Sequence, residues 1–407
     1  MKTKGIHYSR VIAFTGLLSL LLIYILLWRS MISDPALRSG SDFSGLYTYA
    51  RIFQTRGIAY INDPQEQQRV QSEIVGRQVH PILYTHLPMN APLASLLVDE
   101  DYVGSFQRWA MVLLVVNALN TWLLMRLVNV RAFQWEHIVV LSAGAFLFFP
   151  TFSGFLNGRE EVFLLLGLIL WVCGLSSKRD FLAGLGLSLA CIRPQLALML
   201  AIPFLFRQRR VFYGFALGGA VLAGANLALV GMDGAVKYME SVRYIENTVW
   251  YEAHALDMPT LSGIIRRNFI LENPAPARAF VWASYGLGIA AFSWLWHRSA
   301  VIEEPQLGLV SIGAVFLAPY AHYHDLILLL IPLFCLIRIF LKLEFAKGYP
   351  LAMGPLVVSL LTMLWFVGSE TLKFPLAYGL MILLAGLSAG SDRIIHGRSV
   401  RAPAGEL

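Results

Sequence analysis

Residues 181–206 read FLAGLGLSLACIRPQLALMLAIPFLF, two apolar runs joined at Arg193-Pro194. A membrane-spanning helix needs about 20 consecutive apolar residues, and neither run reaches that alone. Proline cannot continue the helix before it, yet it suits the first position of the helix after it. The flanks decide the rest. Lys178-Arg179 precede the stretch, and Arg207, Arg209 and Arg210 follow it. Basic residues gather in cytoplasmic loops, so both flanks belong on one side, and the stretch enters and returns as two short helices.

Outward from this hairpin, apolar runs alternate with short basic loops. Runs near 11–28, 106–128, 137–154, 160–175, 211–230, 279–297, 307–320, 326–341, 350–367 and 375–389 are read as spans. With the hairpin counted as two, the total is about twelve, with the N- and C-termini cytoplasmic. The other inside loops then hold Arg126 and Arg131, His297 and Arg298, Arg338, Lys342 and Lys347, and Arg393, Arg398 and Arg401. Composition agrees, with 57% of residues hydrophobic and 14% charged. Soluble globules carry roughly 25% charged residues. The expected fold is an all-α polytopic membrane protein, one membrane-embedded domain over residues 1–407.

The net charge of +7 could suggest nucleic acid, but the cations sit in short loops where they orient the chain among membrane lipids. Cys173, Cys191 and Cys335 all fall in apolar segments, so no disulfide framework is expected. The run after Lys2, Lys4 and Arg10 resembles a signal peptide. It is long enough to span and lacks a small-residue cleavage site behind it, so it reads as an uncleaved first span. No internal repeat is apparent.

Two external loops, 29–105 and 231–278, are long enough to form a functional vestibule. In the first, Phe43, Leu46, Tyr47, Ala50, Ile52 and Phe53 recur at near-helical spacing beside Arg51 and Arg56. That pattern predicts an amphipathic helix on the outer membrane surface. Residues 91–98 are apolar but too short to span, and Asp99-Glu100-Asp101 mark a return to water.

The groups that could carry chemistry all fall on the external side. Asp42, in RSGSDFSGLYTYAR, sits at the outer interface, as a helix N-cap, a reactive carboxylate, or both. Arg193 is a cation inside an apolar segment, which costs about 2.5–3.5 kcal/mol on insertion scales and calls for a partner. It either snorkels from the hairpin tip or joins the amides that follow Pro194 in a phosphate site, the reading favoured here. His322, His324 and Asp325 lie in APYAHYHDLILLLIP. Two histidines and a carboxylate could ligate a metal, but no third strong ligand is near in sequence. Hydrogen bonding to a phosphate or hydroxyl, or a structural role, are the other readings, and no metal is expected. Asn157-Gly158-Arg159-Glu160-Glu161 reads as a tight external turn whose polar residues need no special reason, although Arg159 faces the same compartment as Asp42 and His324. His80, Tyr84 and His86 are weaker candidates in HPILYTHLPMNAP. There is no phosphate-binding glycine loop, HExxH or GxSxG, and no nucleotide-binding domain.

Taken in order, these motifs resemble a known family. Asp42 with LYTYAR, then Gly57, Tyr60 and Asn62-Asp63-Pro64, resemble the first external loop of the polyprenol-phosphate-mannose-dependent α-mannosyltransferases of the GT-C superfamily. LPMNAPLASLL is similar to that family's proline-rich stretch, and Asn157-Gly158-Arg159 to its Asn-Gly-Gln turn, with Arg159 in place of Gln. AGLGLSLACIRP matches a glycine-rich helix ending in Lys and Pro, with Arg193 in place of Lys. Ala318-Pro319 with His324 stand for a Ser-Pro…His signature, and TLSGIIRR for a stretch before a late span. The resemblance runs over roughly residues 11–341.

It implies a GT-C-like bundle and an inverting glycosyltransferase without cofactor. The enzyme would take a hexose, mannose in the family, from a polyprenyl-phosphate donor on the outer face of a bacterial plasma membrane. The acceptor would be a lipid or glycan of the cell envelope. Asp42 is the implied base, Arg193 and His324 the implied partners of the leaving phosphate, and His322, Arg159, Tyr47 and His86 further substrate contacts. Two other classes stay open: a transporter or flippase of a lipid-linked or anionic solute, and an inactive envelope-assembly subunit. A broken helix suits a transporter, but no second broken segment stands in a matching position.

Overall fold

The computed structural model describes residues 2–34, 37, 40–79, 83–84, 86–128, 133–246, 258–269, 275–299, 302–342, 349–367 and 378–389. Among them every regular element is helical and no strand occurs. The order begins α1 (Lys2–Ser33), α2 (Phe43–Arg56), α3 (Pro64–Val75), α4 (Asn90–Ser95), α5 (Tyr102–Leu127) and α6 (Trp135–Phe146). It continues with α7 (Phe149–Asn157), α8 (Glu161–Ser176), α9 (Asp180–Ser188), α10 (Pro194–Ala201), α11 (Arg209–Glu246) and α12 (Leu261–Asn268). After these come α13 (Ala275–Arg298), α14 (Glu304–Leu317), α15 (Leu330–Lys342), α16 (Tyr349–Ala352), α17 (Gly354–Val367) and α18 (Tyr378–Ala389).

Among the described residues, six stretches have the length and apolarity to cross a membrane: Tyr8–Ser33, Tyr102–Leu127, Trp135–Asn157, Arg209–Arg243, Ala275–Arg298 and Tyr323–Lys342. The remaining apolar helices, α8, α9, α10, α14, α17 and α18, are shorter. The chain is therefore a polytopic membrane protein. Its lipid face is legible in side chains such as Val11, Ile12, Leu18, Leu22 and Leu26, which point outward from α1. In water such a stripe would be a liability, whereas in a bilayer it is the solvated face.

The 181–206 hairpin forms. A 3-10 turn, Leu189–Ile192, ends α9; Arg193 leaves helical geometry, and Pro194 opens α10. Gly174 packs against Ala183 at the start of the hairpin, while Trp171 and Phe204 meet edge to face at its return, 6.1 Å apart. Both ends of the hairpin thus lie beside the second half of α8. That end of the bundle also carries Arg207 bonded to His297 O at 3.2 Å, Arg338 to Ser176 Oγ at 3.1 Å and Lys342 to Glu304 at 2.8 Å.

Three readings are refined. First, the span read at 137–154 is present within Trp135–Asn157, but it is not one continuous helix. It breaks at Leu147 and Phe148, and Pro150 lies in the first turn of α7. Backbone groups freed within a bilayer need new partners. Tyr24 Oη donates to Leu147 O at 2.7 Å, Ser359 Oγ donates to the same oxygen at 3.2 Å, and Phe149 N donates to Ser359 Oγ at 2.9 Å. Second, α2 does not lie on the membrane surface. Phe43, Leu46, Tyr49 and Ala50 are buried in a separate outer core with Ile61, Val70, Ala91 and Phe106. The helices α3 and α4 cover the face that lipid was expected to cover. Third, 231–278 is not a loop throughout: α11 breaks at a kink at Gly231 (φ 69°), and a second helical stretch runs on to Glu246.

Helices α9 and α11 touch backbone to backbone at Gly184, where a Cβ would collide with Val211 O. Gly184→Ala should cost about 1–3 kcal/mol of stability. The expected readout is a lower melting temperature in detergent, with Gly286→Ala, which faces open space, as the unaffected control. Equal melting of the two variants would refute this contact.

Candidate active site

The site grows from the turn after α7. Gly158 closes that helix with φ 70°, a left-handed conformation that favours glycine. A Cβ there would also lie 2.6 Å from the Cβ of Phe43. Arg159 N donates to Gly154 O at 2.8 Å, and Trp109 Nε1 fixes Gly158 O at 2.8 Å. From this rigid turn three consecutive charged side chains leave in three directions.

Arg159 reaches Asp42, to which its Nε donates, and His324, whose Nε2 it meets through a terminal nitrogen. Glu161 receives Arg193 at 2.9 Å, lies 3.7 Å from Arg159 and 3.4 Å from His324 Nε2. Arg193 Nε is also 3.6 Å from Asp325. One oxygen of Glu161 is thus the meeting point of two guanidiniums and an imidazole, all buried. Burial alone would loosen the proton on Arg159; Asp42 and Glu161 more than offset this, and the guanidinium holds it more tightly than usual.

Glu160 turns the other way. It accepts from Tyr84 Oη, lies 3.2 Å from His86 Nδ1 and accepts from Asn90 at 3.0 and 3.1 Å. Burial raises its pKa, but His86 and Tyr84 outweigh burial and hold the carboxyl below its ordinary value. The ring of His86 stacks on Tyr84 at 4.6 Å.

The expected residues separate into those that converge and those that do not. Asp42, Arg159, Arg193 and His86 line one cavity of about 300 Å³. Asp42 occupies the N-cap position of α2, but its side chain makes no cap bond; the carboxylate goes to Arg159 instead. Arg193 reaches the wall with Glu161 as its first partner and Asp325 close by, instead of as an uncompensated cation. His324 lies behind Arg159, off the cavity surface. His322 caps the 3-10 helix Tyr323–Leu329 reciprocally with Asp325 and pairs with Tyr320 Oη at 2.8 Å. Tyr47 points away, donating to Asp99 O at 2.9 Å. His80 lies outside the described residues.

Among the described residues, Glu161, His324 and Asp325 form a group that could hold a metal, with ligand atoms within 4.8 Å of one another. The third ligand that sequence spacing lacks comes from α8. However, Arg159 and Arg193 already stand on these atoms and supply positive charge, so a divalent ion would have to displace them.

The model of glycosyltransferase family 87 matches residues 88–321, more than half of the chain. The chain belongs to that family. It is a membrane glycosyltransferase, and no curated protein and no solved structure matches it. The family 87 match contains Arg159, Glu160, Glu161 and Arg193 and begins after Asp42.

From sequence, Glu160 and Glu161 were read only as turn residues, the cavity residues Ser262 and Arg266 only as part of TLSGIIRR, and Arg278 was not singled out. A signal did exist for the first two: adjacent acids heading an apolar helix are ill-placed unless paired. Glu161→Gln should destabilise the chain by about 3–5 kcal/mol, because it strands buried cations. Thermal unfolding in detergent checks this, with exposed Glu73→Gln on α3 as control, and equal stability would sink the network's structural role.

Proposed function

We propose that this family 87 enzyme moves a hexose, mannose by resemblance, from a polyprenyl-phosphate sugar to a lipid or glycan acceptor of the cell envelope. One observation carries the reading: among the described lining residues, Asp42 is the single carboxylate facing the cavity. Glu160, Glu161 and Asp325 are consumed behind the wall. Arg159 holds one oxygen of Asp42, which leaves the other for an acceptor hydroxyl. As that hydroxyl oxygen bonds to the anomeric carbon, its proton passes to Asp42 and the bond to the phosphate oxygen breaks, inverting the anomeric centre.

The cavity's mixed lining suits an amphiphile, with Ile192, Val281 and Trp282 beside the charged groups. The basic loops around Lys178, Arg207, Arg298 and Lys342 stand at the opposite end of the bundle from the cavity. The positive-inside rule favours a cytoplasmic location for that end, and this supports reading the cavity as facing the outer side, of the plasma membrane by resemblance, with both termini inside. The shorter helices would complete about twelve crossings. The second helix break at Leu147 does not favour transport, since Tyr24 and Ser359 satisfy it away from the cavity.

Transfer from a radiolabelled polyprenyl-phosphate sugar to membrane lipids tests this. Asp42→Asn should lower the rate about 10²–10⁴-fold while the protein stays folded; undiminished transfer would remove Asp42 as base. The same assay in EDTA should proceed at the untreated rate, and activity lost to chelator and restored by a divalent ion would overturn the metal-free scheme.

A further inference from the structure

We infer that Arg266 and Arg278, with Ser262 beside them on the cavity wall, form the seat for the donor's phosphate. This rests on the glycosyl-transfer reading above and moves the anion away from Arg193. The first argument is charge balance. Around Glu161, the guanidiniums of Arg159 and Arg193 face the carboxylates of Asp42, Glu161 and Asp325. A phosphate arriving there would meet carboxylates already holding the cations it needs, and would have to break buried pairs.

Helices α12 and α13 also line the cavity, contributing Ser262, Arg266 and Arg278. The orientation of α12 follows from local bonds. Thr260 caps the helix, accepting from Gly263 N at 3.3 Å. Arg267 is held by Met258 O at 3.0 Å and by Tyr378 Oη. Successive helical residues diverge by about 100°, so pinning Arg267 there leaves Arg266 on the cavity side. Guanidinium forks match phosphate oxygens in geometry as well as charge.

Val242, Ile265, Val281 and Trp282 line the same cavity as these arginines. Trp282 is 55% exposed and Leu287, further along α13, is 70% exposed. A ligand seated here would have its anion at the arginines and its hydrocarbon running out along α13 to lipid. That is the chemistry of a long-chain alkyl or isoprenoid phosphate. The acceptor oxygen, its proton taken by Asp42, bonds to the anomeric carbon as the bond from that carbon to the phosphate oxygen breaks. The electron pair of the broken bond stays on the phosphate, where the two arginines meet it.

Binding of farnesyl phosphate to the full-length protein in detergent is the test, with farnesol and inorganic phosphate as comparators. Arg266→Gln and Arg278→Gln should each weaken farnesyl phosphate about tenfold, the scale of a lost charge-assisted hydrogen bond, and leave farnesol unchanged. Arg266→Lys and Arg278→Lys should recover part of the loss, which a misfolded variant would not. Wild-type affinity in both Gln variants, with loss in Arg193→Lys, would return the phosphate to Arg193 and overturn this inference alone. No binding by the wild type would remove the lipid-phosphate donor along with it. Inorganic phosphate bound as tightly as farnesyl phosphate would overturn the lipid character of the site.

Discussion

A carboxylate at the head of an apolar helix, shut away from water, must be met by cations. Glu161 is such a group, and Arg159 and Arg193 meet it. Much of the site follows from that requirement. Arg193 has to arrive from the tip of the α9–α10 hairpin, so the hairpin must turn there. Arg159 has to leave the Gly158 turn in one direction only, and this puts Asp42 within its reach. Desolvation makes each pairing costly to open, so the network works as a scaffold whose single outward-facing acid is Asp42.

The division between scaffold and working surface also explains the neighbouring histidines. His322 and His324 are two residues apart, yet one caps a helix and the other backs Arg159. His86 reaches the cavity only because Glu160 and Tyr84 fix its ring. Adjacent residues in one turn, Glu160 and Glu161, thus position groups on two sides of the cavity. Glycine at 158 makes the divergence possible, since Phe43 occupies the space any side chain would fill.

What could be read from sequence was what depends on local pattern. The apolar runs located the helices, and Arg193-Pro194 with its basic flanks located the hairpin. The break inside 137–154 escaped, because Leu147 and Phe148 are as apolar as their neighbours and the partners that permit the break, Tyr24 and Ser359, are far away in the chain. The burial of α2 escaped for a similar reason: one apolar face looks alike whether lipid or protein covers it. At the site, Arg193 stood out as a charge in an improbable place, whereas Asp42 and Arg159 also had ordinary readings as a helix cap and a turn residue. That Arg193 belongs to Glu161 could not be seen, since pairing across helices has no sequence spacing. Arg266 and Arg267 were read only together, within TLSGIIRR, and the bonds of Arg267 to Met258 O and Tyr378 Oη give it a place that the pattern does not show.

The broken joint between α6 and α7 has a bearing on how the molecule is made. Leu147 O is shared by a tyrosine from the first helix and a serine from α17, and Phe149 N depends on that same serine. The Phe149 amide finds its acceptor only on α17, so the joint is complete only when α1, α7 and α17 have all come together.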